Sequence, residues 1–223
     1  MSAPRFEAVL FDCDGVLVDS EPIVNRVLLG MLQELDWVDT PLTREAIDHH
    51  FTGRTIRDVM TAWAAERGHA LPADWMERFL ERRNAAIAAE LLAVDGIHET
   101  VAALHAGHQG RIACASGADR FKVEMQLRQV GLLRWFEGRV FSGHEMPASK
   151  PEPHVYLAAA AHLGVAPERC LVIEDSAVGA RAGLAAGATV WGYCPQGHGR
   201  AFAGLPVQQV FSHMSALPGL LKV

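Results

Sequence analysis

An α/β fold built on a parallel sheet is expected for this chain, and three features carry that expectation. Short, almost wholly apolar runs alternate with longer helical patterns along most of its 223 residues. Strands of that composition are buried on both faces, as in parallel sheets covered by helices. The rhythm breaks once, between Pro22 and about Leu91, where the sequence is Arg- and Ala-rich, helical in period and without a convincing strand. Polar, charged and glycine residues also follow the apolar runs in four separate segments.

In order, the first strand is read at residues 8–11. A helical insertion at 21–91 then divides the core into 1–20 and 92–223. After it come a helix at 96–106, a strand at 112–115, a helix at 120–130, a strand at 140–142 and a helix at 152–163. A strand at 171–173, a helix at 176–186 and a strand at 189–193 complete the series. Gly179, Gly183 and Gly187 form a GxxxGxxxG pattern, but Arg181 and the short length favour a soluble helix packed closely on the sheet over a membrane-helix dimer.

Composition excludes several classes. Hydrophobic residues make up 50% of the chain, enough apolar surface to offset ordering entropy, so disorder is not expected. A formal charge of −6 argues against nucleic-acid or anionic-membrane binding driven by bulk charge. No run approaches the roughly 18 apolar residues of a membrane span, and the first residues do not read as a signal peptide. Cys13, Cys114, Cys170 and Cys194 lack disulfide or zinc spacing, so reduced thiols and a cytoplasmic location are expected. Of the 20 basic residues only three are lysine: Lys122, Lys150 and Lys222.

In open parallel sheets ligands bind beyond the carboxyl ends of the strands. There the sequence places Asp12 and Asp14 after the first strand, Ser116-Gly117 after the second, Lys150-Pro151 after the third and Glu174-Asp175 after the fourth. Four carboxylates in one small space repel unless a cation neutralises them. Magnesium, which takes a few carboxylates together with waters and phosphate oxygens, suits that need. Taken singly these signals are weak. Ser116-Gly117 reads as a turn or cap, Lys150 as a surface lysine and Glu174-Asp175-Ser176 as a helix cap. A calcium loop is disfavoured because Gly15 comes fourth after a strand rather than sixth between helices.

As a series, the segments resemble the haloacid dehalogenase superfamily. Residues 11–20, FDCDGVLVDS, are similar to its first motif, Ser116 to the second, Lys150-Pro151-Glu152-Pro153 to the third and Glu174-Asp175-Ser176 to the fourth. The resemblance implies a Rossmann-like core and places the insertion where the family carries a small all-helical cap, closing through hinges near 17–21 and 93–96. It implies that Asp12 attacks phosphorus and that Asp14 acts as general acid, then base. Ser116, with the N–H groups of Gly117 and Ala118, would bind the phosphoryl oxygens, and Lys150 would pair with nucleophile and phosphate. Magnesium would be held by Asp12, the Asp14 carbonyl and Asp175, with Glu174 near it or bound through water.

Departures from relatives narrow the reaction. Dehalogenases lack the second Asp, present here as Asp14. Phosphonate hydrolases need a cap lysine, and residues 22–91 contain none. Beta-phosphoglucomutases resemble the chain but carry His where Val24 stands, and basic residues around a cap glycine where this chain reads Thr52-Gly53-Arg54. The expected activity is therefore that of a phosphatase on small phosphorylated metabolites; FDCDGVLVDSE, FSG before Lys150, and IEDSAVGARAGLAAG followed by Tyr193-Cys194 resemble bacterial sugar-phosphate (6-phosphogluconate-type) phosphatases. A mutase, or a non-catalytic binder of phosphorylated metabolites, are the alternatives. Arg83 and Arg54, with Arg57, are the candidate substrate contacts of the cap, against the reading of an Arg/Glu-rich solvated helix face in which Arg78 and Arg82 pair with Glu77 and Glu81. A monomer is the expected state.

Overall fold

The structure is a computed structural model and describes residues 6–35, 56–66, 68–195, 197 and 199–223. The chain separates into two compact units, one running to Asp19 and resuming at Leu92, the other Ser20–Leu91.

The first unit is built on six parallel strands: β1 Ala8–Phe11, β2 Ile112–Ser116, β3 Val140–Ser142, β4 Cys170–Glu174, β5 Thr189–Tyr193 and β6 Gln209–Phe211. Their spatial order is β3-β2-β1-β4-β5-β6. Leu10 at the centre pairs with Ala113 on one side and Val172 on the other. Every residue of β1, β2 and β4 is buried, as continuous apolar strands require. β6 was not expected from the sequence. Three residues long at the sheet edge, with Val210 exposed, it lacks the apolar run that marks the interior strands.

Five of the helices in this unit are α4 Ile97–Gly107, α5 Arg120–Gln129, α6 Leu133–Phe136, α7 His154–His162 and α8 Ala177–Ala185. Alanines of α7 and α8 pack with Leu10, Ala113 and Val172 in one apolar cluster. At Gly183 an added Cβ would lie 2.8 Å from Val190 Cγ2 and 3.1 Å from Val172 Cγ1. Gly183 therefore allows close contact between α8 and the sheet. Among the described residues no helix is long and apolar enough to cross a membrane. The four cysteines are free thiols, and only Cys194 is not buried.

The strand order reverses at β1: β2 and β3 lie to one side, β4 to β6 to the other. The carboxyl ends of β1 and β4 are thus neighbours at the point where the connections part, the usual place for a ligand in such a sheet. Close by, the outgoing and returning chains are joined by Asp19 N–H to Leu92 O at 3.0 Å and Val94 N–H to Leu17 O at 3.1 Å.

The second unit contains helices α1 Glu21–Gln33, α2 Ile56–Glu66 and α3 Trp75–Glu90. Leu28, Met31, Leu32, Val59, Met60, Trp63, Trp75 and Phe79 form its core. Arg26 near the start of α1 pairs with Glu90 at the end of α3, whereas Glu34 after α1 pairs with Arg78 and Arg82 early in α3, so the two helices run antiparallel. These cross-helix partners take the place of Glu77 and Glu81, while Arg78 keeps one local i,i+4 contact, with Asp74 at 3.9 Å. Arg57 lines a cavity of about 410 Å³ with Thr61, His69, Leu71 and Met76.

Candidate active site

β1 ends at Phe11, and the Asp12 N–H still donates to Ile173 O of β4 at 3.0 Å, which fixes Asp12 beside the end of that strand. The chain then turns tightly, the Cys13 carbonyl accepting from Val16, Leu17 and Val18. Gly15 permits the turn with φ +81°, and a Cβ there would overlap Asp175 Oδ2. Glycine is thus required both by backbone conformation and by the approach of a carboxylate.

Lys150 enters this group from the segment after β3. Its Nζ donates to Asp12 Oδ1 at 2.5 Å, Glu174 Oε1 at 2.7 Å and the Tyr156 hydroxyl at 2.9 Å. These three bonds use all three ammonium hydrogens. Lys150 therefore meets the expected nucleophile, while a bond to phosphate would have to replace one of the three. Tyr156, from α7, donates its own hydrogen to Glu174 Oε1 at 2.7 Å. Glu174 Oε2 accepts from Ser176 N–H at 3.2 Å and Ser176 Oγ at 3.0 Å. Gly179 leaves the space for this buried carboxylate, since a Cβ there would overlap it.

Ser116 closes β2 fully buried, and its Oγ accepts from the Ala118 N–H at 3.1 Å. That N–H, expected to face the phosphoryl group, is thus spent within the loop. Ser142 Oγ, at the end of β3, donates to Ala118 O at 2.7 Å and steadies the same turn. Gly117 lies against Gly143, where an added Cβ would come within 3.3 Å of Gly117 Cα.

Asp14 has partners that the sequence reading did not name. Lys122 Nζ lies 2.8 Å from Oδ1 and 2.7 Å from Oδ2, and Gln126 Nε2 donates to Oδ1 at 2.8 Å. Lys122, Gln126 and Tyr156 sit inside helices, away from the strand ends where functional groups were sought. A signal did exist. Lys122 and Gln126 are four residues apart, beside Val123 and Leu127, on what becomes the buried face of α5.

Burial pushes the Asp12 carboxyl up to about 7; Lys150 pulls it down, and Glu174 and Asp14 add to the rise. Burial also works against the Lys150 ammonium, yet the charges of Asp12 and Glu174 outweigh it and hold that pKa well above the lysine range. Burial and the Glu174 charge raise the Tyr156 phenol far above its usual value, so it remains a proton donor. Counted formally, four carboxylates against two ammonium groups give −2 at this edge of the sheet.

One oxygen from each of Asp12, Glu174 and Asp175 lies within 4.8 Å of the others. The donor set, all carboxylate and partly buried, fits a hard divalent cation, and the Gly15 cradle leaves room for Asp175 beside Asp12. Glu174 already accepts two hydrogen bonds at each oxygen, so Asp12 and Asp175 are the better placed direct ligands. Arg83 binds Asn84 Oδ1 through Nε and Nη2 at 3.1 and 2.9 Å within the helical unit. Arg54 lies outside the described residues.

Comparison with known proteins agrees with this arrangement. The haloacid dehalogenase-like hydrolase family matches residues 6–187. The chain is 31% identical over 219 residues to a protein named 6-phosphogluconate phosphatase from Escherichia coli K12, covering 98% of this chain and 96% of that protein. It is 34% identical over 190 residues to hexitol phosphatase B of the same organism, covering 83% of each. A family hydrolase from Deinococcus radiodurans, solved with bound phosphate and sodium, superposes with a TM-score of 0.80 at 36% identity, covering 99% of this chain and 97% of that one. The sheet order, the acidic cluster at its switch point and these likenesses lead to one assignment: the chain belongs to the haloacid dehalogenase-like hydrolase family.

Proposed function

We propose that the chain is a magnesium-dependent phosphatase that hydrolyses small phosphorylated metabolites, a sugar phosphate or sugar-acid phosphate, through an aspartyl-phosphate on Asp12. The observation that carries this reading is the buried contact of Asp12 with Lys150, beside Glu174 and Asp175 and one turn from a second aspartate. The names of the two Escherichia coli relatives, both sugar-derivative phosphatases, support the substrate class.

In this mechanism Asp12 attacks phosphorus. The bond to the leaving oxygen breaks with its electron pair on that oxygen, and the proton of the Asp14 carboxyl passes to it. Water then attacks the phosphorus of the intermediate, Asp14 takes its proton, and the Asp12–phosphorus bond breaks to release phosphate. Lys150 favours the anionic form of Asp12 and aims it, Glu174 and Tyr156 hold Lys150, and Ser116 and Gly117 line the phosphoryl site at the end of β2. Arg83 is the cap residue we assign to substrate. Bound to Asp12 and Asp175, magnesium would offset the charge gathered around the phosphoryl group. The enzyme acts as a cytoplasmic monomer on a diffusible substrate, without nucleic acid or membrane.

Asp12→Asn removes the nucleophile while keeping its shape. The variant should release no phosphate from a panel of sugar and sugar-acid phosphates or from 4-nitrophenyl phosphate, with an unchanged circular dichroism spectrum. Retained turnover would discard the nucleophile assignment. Wild-type product analysis separates this reading from a mutase, which would return an isomeric sugar phosphate rather than free phosphate.

A further inference from the structure

We propose that Lys122 and Gln126 are positioning residues that hold the Asp14 carboxylate in the orientation its proton transfers require; this rests on the phosphatase reading above. Lys122 Nζ reaches both oxygens, at 2.8 and 2.7 Å, which fixes the plane of the carboxylate. Gln126 Nε2 reaches Oδ1 alone, at 2.8 Å, which makes the two oxygens inequivalent. Together the contacts select one rotamer of a side chain that would otherwise sample three χ1 wells at the rim of a turn.

The two holders are themselves fixed. Gln126 is fully buried and Lys122 is 7% exposed. They stand one turn apart on α5, with Val123 and Leu127 buried beside them. The helix start is secured by Asp119 Oδ1, which accepts the Lys122 N–H at 2.8 Å, and by Arg120, which grips Glu145 through Nε at 2.6 Å and Nη2 at 2.5 Å. Gln126 Oε1 faces the Cys13 thiol at 3.8 Å, so the amide turns its nitrogen toward Asp14.

Stability alone does not account for this arrangement. The Asp14 side chain is 30% exposed, so its pair with Lys122 is only partly buried, and solvent-exposed ion pairs add little to stability. Positioning does account for it. A general acid must lie within hydrogen-bond reach of the leaving oxygen, and a misplacement of about 1 Å costs on the order of 10²-fold in rate.

The test compares phenyl phosphate with 4-nitrophenyl phosphate. The esters are similar in size, but phenolate is the poorer leaving group and depends more on proton donation. Because kcat/KM reports events through the first irreversible step, it isolates transfer to Asp12 from the later hydrolysis. In Lys122→Met, kcat/KM for phenyl phosphate should fall at least about tenfold further than for 4-nitrophenyl phosphate, within the range of general-acid effects. Lys122→Arg should recover part of the loss, and Gln126→Met should show a smaller selective loss. In an Asp14→Asn background, Lys122→Met should add little, since the interaction is already gone.

Equal losses on both esters, no loss, or an additive double variant would overturn the positioning role while Asp14→Asn still showed the selective defect. If Asp14→Asn itself left the phenyl ester unaffected, the acid assignment would fall and the phosphatase mechanism with it. Should Lys122→Met not accumulate as folded protein, Lys122→Gln removes the same charge while keeping a donor and reads the same ratio.

Discussion

His108, at the end of α4, is buried, and its Nδ1–H donates to Leu104 O at 3.0 Å. Burial lowers its pKa, Arg111 adds to that effect and the Leu104 carbonyl opposes it. A histidine with a lowered folded pKa is protonated first in the unfolded chain. Its contribution to stability is therefore complete above the unfolded value near 6.5 and is lost as pH falls through the folded value. Replacing His108 by Gln should make the acid-side slope of unfolding free energy against pH shallower, by at most one proton's worth. Urea titrations at half-unit steps from pH 5 to 8 measure it, and an unchanged slope would refute the assignment. In the sequence His108, one of eleven histidines, reads with His105 as a surface or satisfied polar residue. Burial, which gives it this property, is a product of the fold.

Helix α8 gives a sharper case, because its glycines were legible as a pattern while their separate duties were not. Gly183 faces Val172 and Val190, whereas Gly179 faces the carboxylate of Glu174. Gly183→Ala should cost about 1–3 kcal/mol through overpacking, seen as a lower denaturation midpoint with kcat little changed. Gly179→Ala should also be destabilising, but it displaces Glu174 from Lys150 and so should lower kcat as well. Equal effects of the two on kcat would contradict the separation. Strands β1 to β5 were legible because buried parallel strands are apolar throughout, and β6 was not because an edge strand has no such constraint. Asp12, Asp14, Ser116 and Glu174 were legible for a related reason: each stands at or just after the end of an apolar run, and strand ends are where such folds keep polar groups, whereas Lys150 lies eight residues beyond β3.

Over the whole chain the formal charge of −6 says little about the ligand. What matters is the local balance, two ammonium groups against four carboxylates, and the rise of Asp12 that burial causes. A divalent cation bound there should stabilise the folded protein. At 100 times its dissociation constant, Mg²⁺ should add about 2.7 kcal/mol, reversed by EDTA and abolished by Asp175→Asn. Denaturation with and without metal reads this independently of turnover, and an unshifted wild-type curve would remove Asp12 and Asp175 as ligands.

The sequence by itself determined the α/β class, the family and the strand-end residues, because each of these is written in local composition and in order along the chain. Tertiary structure decided which groups face one another. Lys122 and Gln126 reach Asp14 from residues more than 100 positions away, and Tyr156 and Lys150 converge on Glu174, because a parallel sheet brings distant strand ends and helix faces to one edge. A lysine on an apolar helix stripe is ambiguous in sequence. It acquires a partner, and a role to test, only when the sheet order sets α5 against the turn after β1.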